Sequence, residues 1–391
     1  MKIGIFGMSR GWWYAIMMQK AQTELVAICD CDTQRLDKAM ELLAPGGKAY
    51  TDFDEFINHE MDAVIVCNYF NLHVDYVVRL FERGIHVLCE TMSNSTMAEG
   101  VYLVRQWEKY NKINGVKYML AENYPFMKGV LELKHLRESG KLGRVLYSEG
   151  EYNHPSPPGF FEQITPSEYH WRAWLPPTYY NTHAFGPVMY ATGARPTSVT
   201  AKTVYVPSKD NGGRKNPEIA VMLVSMSDGS VSRVQGCTSW GGEGNHYLIG
   251  GERATAETVR GNEESINIRY NYWEKAEDET DGVYKPEWHI CDESDLSLCE
   301  GFGHGGSDFW MLREFVSCVF KDKQPFFDVY RSTEMASVAI LGWYSVLEGR
   351  SYDIPDFRNE EDRLLWQDDT RNPFPDESGE GVTLPCCSVK R

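Results

Sequence analysis

The chain has no run of apolar residues approaching the ~20 needed to span a bilayer, and it has no C-x-x-C pair, no internal repeat and no low-complexity stretch. Each absence removes a class of protein. Without a long apolar run no helical membrane span is expected. A first strand beginning at Ile3 leaves no room for a signal peptide, so the expected location is the cytoplasm. Ten cysteines without metal-type spacing, several of them (Cys29, Cys67, Cys89) at strand ends, read as reduced core thiols rather than disulfides or a zinc site. Cys386 and Cys387, near a polar C-terminus, are expected to be exposed. Basic charge is also scarce: 39 Lys and Arg against 56 Asp and Glu leave a formal charge of −17, which disfavours nucleic acid or an anionic membrane as partner.

What remains, 391 residues with 42% hydrophobic and 24% charged content, is an ordinary globular composition for two domains. The first thirty residues organise the rest. Ile3 to Phe6 reads as a short apolar strand, Gly7-Met8-Ser9-Arg10-Gly11 as a tight turn, and Trp12 to Ala21 as a helix. A second buried strand, Leu25 to Cys29, ends on Asp30, about 20 residues past the turn, where dinucleotide folds place a ribose-binding carboxylate. A helix that starts straight after a strand aims its free N–H groups and positive dipole end at the turn, where a pyrophosphate can sit. Asp30 would accept the ribose hydroxyls and repel a 2′-phosphate, which favours NAD over NADP. The G-x-G-x-x-G fingerprint is imperfect, because Ser9 replaces the second glycine and the spacing is one residue short. A buried βαβ unit without a nucleotide is therefore the competing reading.

Further on, strand and helix keep alternating. Asp32 to Leu43 and Val74 to Arg83 read as helices, Ala63 to Cys67 and His86 to Cys89 as strands, and a helix from Met97 and a strand from Lys117 close a domain near Glu122. This alternation predicts a parallel sheet covered on both faces, with Gly7 to Gly11, Asn68 to His73 and Glu90 to Ser93 facing one crevice beyond the strand ends. After the helix Lys128 to Glu138, strands dominate between residues 144 and 272, separated by turns such as Asp228-Gly229. The expected class is α/β plus α+β: a parallel nucleotide-binding sheet over residues 1–122, a mostly antiparallel open sheet within 123–355, and a tail over 356–391 that wraps the surface or is partly disordered.

Several stretches in order resemble the glucose-fructose oxidoreductase / inositol dehydrogenase (Gfo/Idh/MocA) family over nearly the whole chain. They are Ile3-Gly4-Ile5-Phe6-Gly7, Val26-Ala27-Ile28-Cys29-Asp30, Val64-Ile65-Val66 with Asn71-Leu72-His73, and Gly84-Ile85-His86-Val87-Leu88-Cys89-Glu90. Ala121-Glu122-Asn123-Tyr124 and Gly140-Lys141-Leu142-Gly143 continue the series. The resemblance implies a Rossmann domain that binds NAD or NADP, a second domain whose sheet closes over a sugar-like substrate, and a homodimer or homotetramer. Gly7, Ser9, Arg10, Gly11, Asp30, Asn68, Asn71, His73 and Glu90 are then the expected cofactor contacts. Two departures stand out. Glu90-Thr91-Met92 replaces the usual Glu-Lys-Pro, whose lysine commonly assists proton transfer, and Tyr179 stands where an aspartate often precedes the substrate-domain histidine. The segment Thr178-Tyr179-Tyr180-Asn181-Thr182-His183-Ala184-Phe185-Gly186-Pro187 resembles the family's NAD-dependent glycosidases of the α-N-acetylgalactosaminidase type, and Gly303-His304-Gly305-Gly306-Ser307-Asp308-Phe309 is similar to their second motif.

That likeness implies a redox-cycling glycosidase. Oxidation at sugar carbon 3 acidifies the hydrogen at carbon 2, its removal expels the group at carbon 1, water adds, and the hydride returns. Tyr180 is the expected base and His183 its partner. An ordinary phenol titrates near ~10, so the base needs a cation or strong donors beside it. Tyr180 is otherwise a stacking or core aromatic, and His183 a core histidine. Tyr124, His154, Trp171, Arg172, Tyr179 and His304 are the expected sugar contacts, although Ser307 could simply cap a helix there. No ligand spacing supports a metal held by His154, His183 and His304. A net sugar or cyclitol dehydrogenase is the alternative, and a non-enzymatic NAD sensor a further one, kept open by the missing lysine.

Overall fold

The computed structural model describes residues 1–18, 20–157, 159–205, 214–237, 240–286 and 297–387. Two compact units result, one from Met1–Asn123, Glu293–Thr333 and Arg363–Asp368, the other from Tyr124–Asp292, Glu334–Asp362 and Asp369–Arg391. Packing thus interleaves the two along the C-terminal third of the chain, which no linear boundary expresses.

The first unit contains β1 (Lys2–Phe6), α1 (Met8–Met18), β2 (Glu24–Cys29), α2 (Thr33–Ala39), β3 (Lys48–Tyr50), α3 (Phe53–Phe56), β4 (Ala63–Val66), α4 (His73–Glu82), β5 (His86–Cys89), α5 (Met97–Asn114) and β6 (Tyr118–Leu120). Its strands form one parallel sheet in the order β3-β2-β1-β4-β5-β6. The order reverses between β1 and β4, so a crevice opens at their carboxyl ends. Every residue of β4 is buried, as in a strand covered on both faces. The expected five-residue turn is in fact one residue long. Gly7 alone turns the chain, at φ +95°, and α1 begins at Met8, because the Asp30 carboxylate accepts the Met8 N–H at 2.6 Å and caps the new helix. Gly11 therefore lies inside α1, where a Cβ would stand 2.5 Å from Ile5 Cγ2: it serves helix–strand packing rather than the turn.

The second unit contains α6 (Lys128–Glu138), β7 (Val145–Asn153), α7 (Phe160–Gln163), α8 (Trp171–Trp174), α9 (Thr182–Thr192), β8 (Pro196–Val204), β9 (Ile219–Met226), β10 (Val231–Cys237), β11 (Gly244–Gly251), β12 (Ala254–Val259), β13 (Asn262–Tyr270), β14 (Gly282–Tyr284) and β15 (Tyr352–Asp353). The nine strands run in the order β14-β13-β12-β11-β7-β10-β9-β8-β15, antiparallel throughout except for the parallel pair β7 and β10. Helix α9 lies on β7, β10 and β11 and buries Ala184, Phe185, Val188 and Met189. The stretch after Pro355 is better ordered than its acidic composition suggested. It carries the helix Glu360–Trp366, and its Phe374 and Leu384 are buried. In the second unit Trp343 Nε1 donates to the Pro385 carbonyl at 2.8 Å, and Cys386 is buried, not exposed as expected, because that anchor draws the chain inward.

Candidate active site

The nucleotide corner is built by strand ends. A cavity of about 410 Å³ lies there, lined among others by Gly7, Ser9, Asp30, Asn68 and Tyr69. Asp30 is buried, and besides the Met8 N–H it accepts the Asp32 N–H at 2.9 Å, with Arg35 Nη1 at 3.7 Å. A carboxylate offers about four lone-pair sites, so acceptor capacity remains for ribose hydroxyls. Asn68 Oδ1 is buried with no donor among the described residues, an acceptor left open on the cavity wall. The positive-φ glycine, the helix start, the acidic strand end and the open acceptor together fit a dinucleotide. Asn71 Oδ1 is likewise buried with no donor among the described residues but does not line this cavity. His73 is packed inside instead of facing it: its Nδ1 lies 2.8 Å from the Met92 carbonyl and its Nε2 3.1 Å from the Asn68 carbonyl, so it ties together the loops after β4 and β5.

Beside this corner lies a charged network that the sequence reading missed. Glu90 Oε1 accepts from Tyr14 Oη at 2.6 Å and from Arg10 Nε at 3.0 Å. The other edge of the Arg10 guanidinium donates to Asp308 Oδ1 at 2.8 Å, which Asn123 Nδ2 also reaches at 2.6 Å, while His304 Nδ1 stands 3.1 Å from Asp308 Oδ2. Burial works against ionisation of Asp308, but His304 and Arg10 outweigh it and hold the carboxyl at about 2. Burial opposes the charge on Arg10 too, yet Tyr14, Glu90 and Asp308 keep it firmly protonated. The cation beside Glu90 is thus Arg10, supplied by α1, in a chain whose Thr91 replaces the usual lysine. His304 belongs to this first-unit network through the helix Ser307–Phe320 that carries Asp308.

In the second unit, rings gather around Tyr152 on β7. Its centroid lies 5.4 Å from Tyr124, 5.7 Å from Tyr180, 5.0 Å from His183 and 5.6 Å from His154. Tyr124 stands 4.6 Å from His183, and Tyr180 meets His183 edge-on at 5.6 Å. Burial first, then the neighbouring charges and hydroxyls of Tyr180 and Tyr124, push Tyr152 far above the ordinary phenol range, so Tyr152 keeps its proton.

The seat for this group is made by two glycines in adjacent strands. A Cβ on Gly150 would lie 2.0 Å from the Ala184 carbonyl, and one on Gly236, the parallel partner of Tyr152, 2.9 Å from the Tyr180 carbonyl. Without side chains there, the segment Pro177–Ala184 lies directly on β7 and β10. His183 was expected in a turn but occupies the first turn of α9, which tolerates Pro187 in its interior. Proline lacks the N–H that would bond the carbonyl four residues back. That carbonyl belongs to His183, and Tyr247 Oη donates to it at 2.7 Å, which fixes the backbone of the histidine.

Other expected contacts divide. Tyr179 is core: it is 2% exposed and packs edge-on to Phe374, because the 3₁₀ turn Pro177–Tyr180 points adjacent tyrosines to opposite sides. Tyr180, His154 and Arg172 line a second cavity of about 250 Å³, and Trp171 supports Arg172 from behind at 4.4 Å. Among the described residues no group of three or more His, Cys, Asp or Glu is placed to hold a metal ion.

Comparison with known proteins agrees with this geometry. A family model described as an oxidoreductase family with an NAD-binding Rossmann fold matches residues 1–118, and the C-terminal domain model of glycosyl hydrolase 109 matches residues 252–362. A glycosyl hydrolase family 109 protein of Stenotrophomonas maltophilia (strain K279a) is 22% identical over 400 residues, covering 87% of this chain and 85% of its own. An alpha-N-acetylgalactosaminidase of Tannerella forsythia is 22% identical, covering 85% of this chain and 81% of its own. The crystal structure of an oxidoreductase domain protein from Kribbella flavida shares the fold at a TM-score of 0.76 and 17% identity, over 90% of this chain and 98% of that one. The chain therefore resembles the Gfo/Idh/MocA oxidoreductases, whose NAD-binding Rossmann model matches its residues 1–118. Residues 252–362 resemble the glycosyl hydrolase 109 branch of that family.

Proposed function

We propose that the protein is a redox-cycling glycosidase whose NAD is regenerated within each turnover. The observation that carries this reading is the contact of Tyr180 and His183 around a Tyr152 that stays protonated, in a chain without the lysine after Glu90. Gly7, Ser9, Asp30 and Asn68 would hold the cofactor, which when bound would supply a reversible hydride acceptor for carbon 3 of the sugar. His183 takes the proton of the carbon 3 hydroxyl. Tyr180 removes the carbon 2 proton once that carbon lies beside a carbonyl, and Tyr152 donates to the Tyr180 oxygen as it gains negative charge. The carbon 2 electrons then expel the aglycone from carbon 1, water adds to the resulting double bond, and carbon 3 is reduced again. Ordinary glycosidases need paired carboxylates flanking the bond; this sequence of steps does not.

Following aglycone release and NADH absorbance together, on aryl glycosides and on free sugars, tests the reading. Aglycone without NADH build-up supports it. NADH alone means a net dehydrogenase, and silence on every substrate a sensor. No helix among the described residues is long and apolar enough to cross a membrane. The same reading takes the enzyme as cytoplasmic and as a homodimer or homotetramer, which light scattering in solution tests.

A further inference from the structure

Redox cycling leaves the protons at carbon 1 without an assigned group. The aglycone oxygen gains a proton as it departs and the water that replaces it loses one, yet Tyr180 and His183 are occupied at carbons 2 and 3. A third titratable side chain stands near them. His154 directly follows β7 and lines the same cavity of about 250 Å³ as Tyr180. Its ring centroid lies 5.6 Å from Tyr152, the ring that also lies 5.7 Å from Tyr180. Strand register brings it a carboxylate. Strand β11 runs antiparallel to β7 with Gly244 opposite Asn153, and the Asn153 side-chain amide donates to the Gly242 carbonyl across the strand ends. Glu243, between those two glycines, thereby stands beside His154, with its Oε1 2.7 Å from Nδ1. An ionised carboxylate only accepts, so Nδ1 carries a proton, and Nε2, which has no partner among the described residues, is the nitrogen that gives and takes one. The His154 side chain is 48% exposed, so water reaches it, and a solvated pair of this kind adds little to stability. What the pair supplies is an oriented imidazole on the cavity wall.

We propose that His154, oriented by Glu243, is the general acid and base at carbon 1. As the carbon 2 electrons form the double bond and the bond from carbon 1 to the aglycone oxygen breaks, protonated Nε2 gives its proton to that oxygen. Neutral Nε2 then takes a proton from the water whose oxygen bonds to carbon 1, while the double-bond electrons pass toward the carbon 3 carbonyl. The imidazolium is thereby restored. His154 is the catalytic group and Glu243 a positioning residue, and the assignment rests on the redox-cycling reading above. Its test is first-turnover aglycone release from dinitrophenyl, nitrophenyl and phenyl glycosides, whose leaving groups need progressively more help from an acid. In His154→Ala, release of phenol should fall by roughly 10² to 10⁴, while dinitrophenol leaves within about tenfold of the wild-type rate. Glu243→Gln should steepen the series in the same sense by a smaller factor, which a loss of packing does not do. Enzyme-bound NADH should still form in both variants, a sign that they fold and oxidise carbon 3; should either not fold, the other decides by the same criterion. Azide, which adds to the double bond with no proton to lose, should restore steady turnover of the dinitrophenyl glycoside in His154→Ala, with glycosyl azide as product. An equal fall for all three leaving groups, or none, overturns the acid role, and no gain with azide overturns the base role. Failure of the redox-cycling reading shows separately, in the wild type, as no aglycone release or as NADH that accumulates.

Discussion

In the first unit the groups proposed to meet NAD stand at or just past the carboxyl ends of parallel strands: Gly7 after β1, Asp30 after β2, Asn68 after β4 and Glu90 after β5. In the second unit Tyr180 and His183 stand on no strand. They sit in a 3₁₀ turn and the first turn of α9, lowered onto a sheet by Gly236 and Gly150. A parallel sheet delivers functional groups by topology, since every strand ends at the same edge. The antiparallel sheet alternates its strand ends, so its functional groups must be carried by a segment laid across its face. Their placement depends on how closely that segment can approach.

The sharpest way to break this comparison is at Tyr180. Tyr180→Phe keeps the ring and removes only the phenol, so turnover should fall by roughly 10² to 10⁴ while NAD binding survives. Enzyme-bound NADH should then accumulate on adding substrate, whereas His183→Ala should abolish that signal. Near-normal turnover in Tyr180→Phe, or no solvent deuterium at carbon 2 of the product, would favour the simple dehydrogenase.

A smaller effect is expected from the seat. Gly150→Ala sets a methyl group against the Ala184 backbone carbonyl, which cannot rotate away, and should cost about 1–3 kcal/mol of stability in denaturant unfolding, with lost turnover besides. Its counterpart in the first unit, Gly11→Ala, meets the side chains of Ile5 and Met8 rather than a backbone carbonyl and should leave kcat closer to wild type. Equal losses of kcat in the two would remove the distinction between delivery by topology and delivery by close approach.

Asp308 tests the first unit's network. Its carboxyl is depressed in the folded chain to about 2, so it contributes stability that is present above its ordinary value near 3.8 and is lost as pH falls from there through about 2. The shift corresponds to about 2 kcal/mol. Asp308→Asn should therefore flatten the acid limb of the stability curve over that window. An unchanged limb would mean that Arg10 and His304 do not stabilise its charge.

The smallest effect concerns cofactor choice. Asp30 should favour NAD over NADP by about tenfold, the Coulombic penalty of a 2′-phosphate being partly offset by Arg35 at 3.7 Å. Asp30→Ser should narrow the ratio. Calorimetric titration showing NADP binding equal or tighter in the wild type would contradict the role.

Much of the first unit was legible from residue order. Apolar runs at β1, β2, β4 and β5 and the acid ending β2 register local preferences that packing then confirms. The helix start was misplaced, because the cap that allows α1 to begin at Met8 comes from Asp30, 22 residues away. His73 was assigned to the cofactor by its motif, but two main-chain carbonyls hold it inside. Tyr179 and Tyr180 are adjacent and chemically identical in sequence. Only the turn that carries them decides that one is core and the other lines a cavity.

The sequence by itself determined the alternation of strands and helices, the excess of acid, the absent lysine after Glu90 and the three-residue spacing of Tyr180 and His183. These are properties of neighbours along the chain, and hydrophobic period and residue chemistry express them directly. Tertiary structure alone decided that Arg10 stands beside Glu90 and Asp308, that Tyr152 joins Tyr124 to Tyr180, and that Tyr247 holds the carbonyl released by Pro187. Those partners lie up to 298 residues apart. Nothing in local preference couples positions so distant; burial and the need to satisfy every enclosed polar group do.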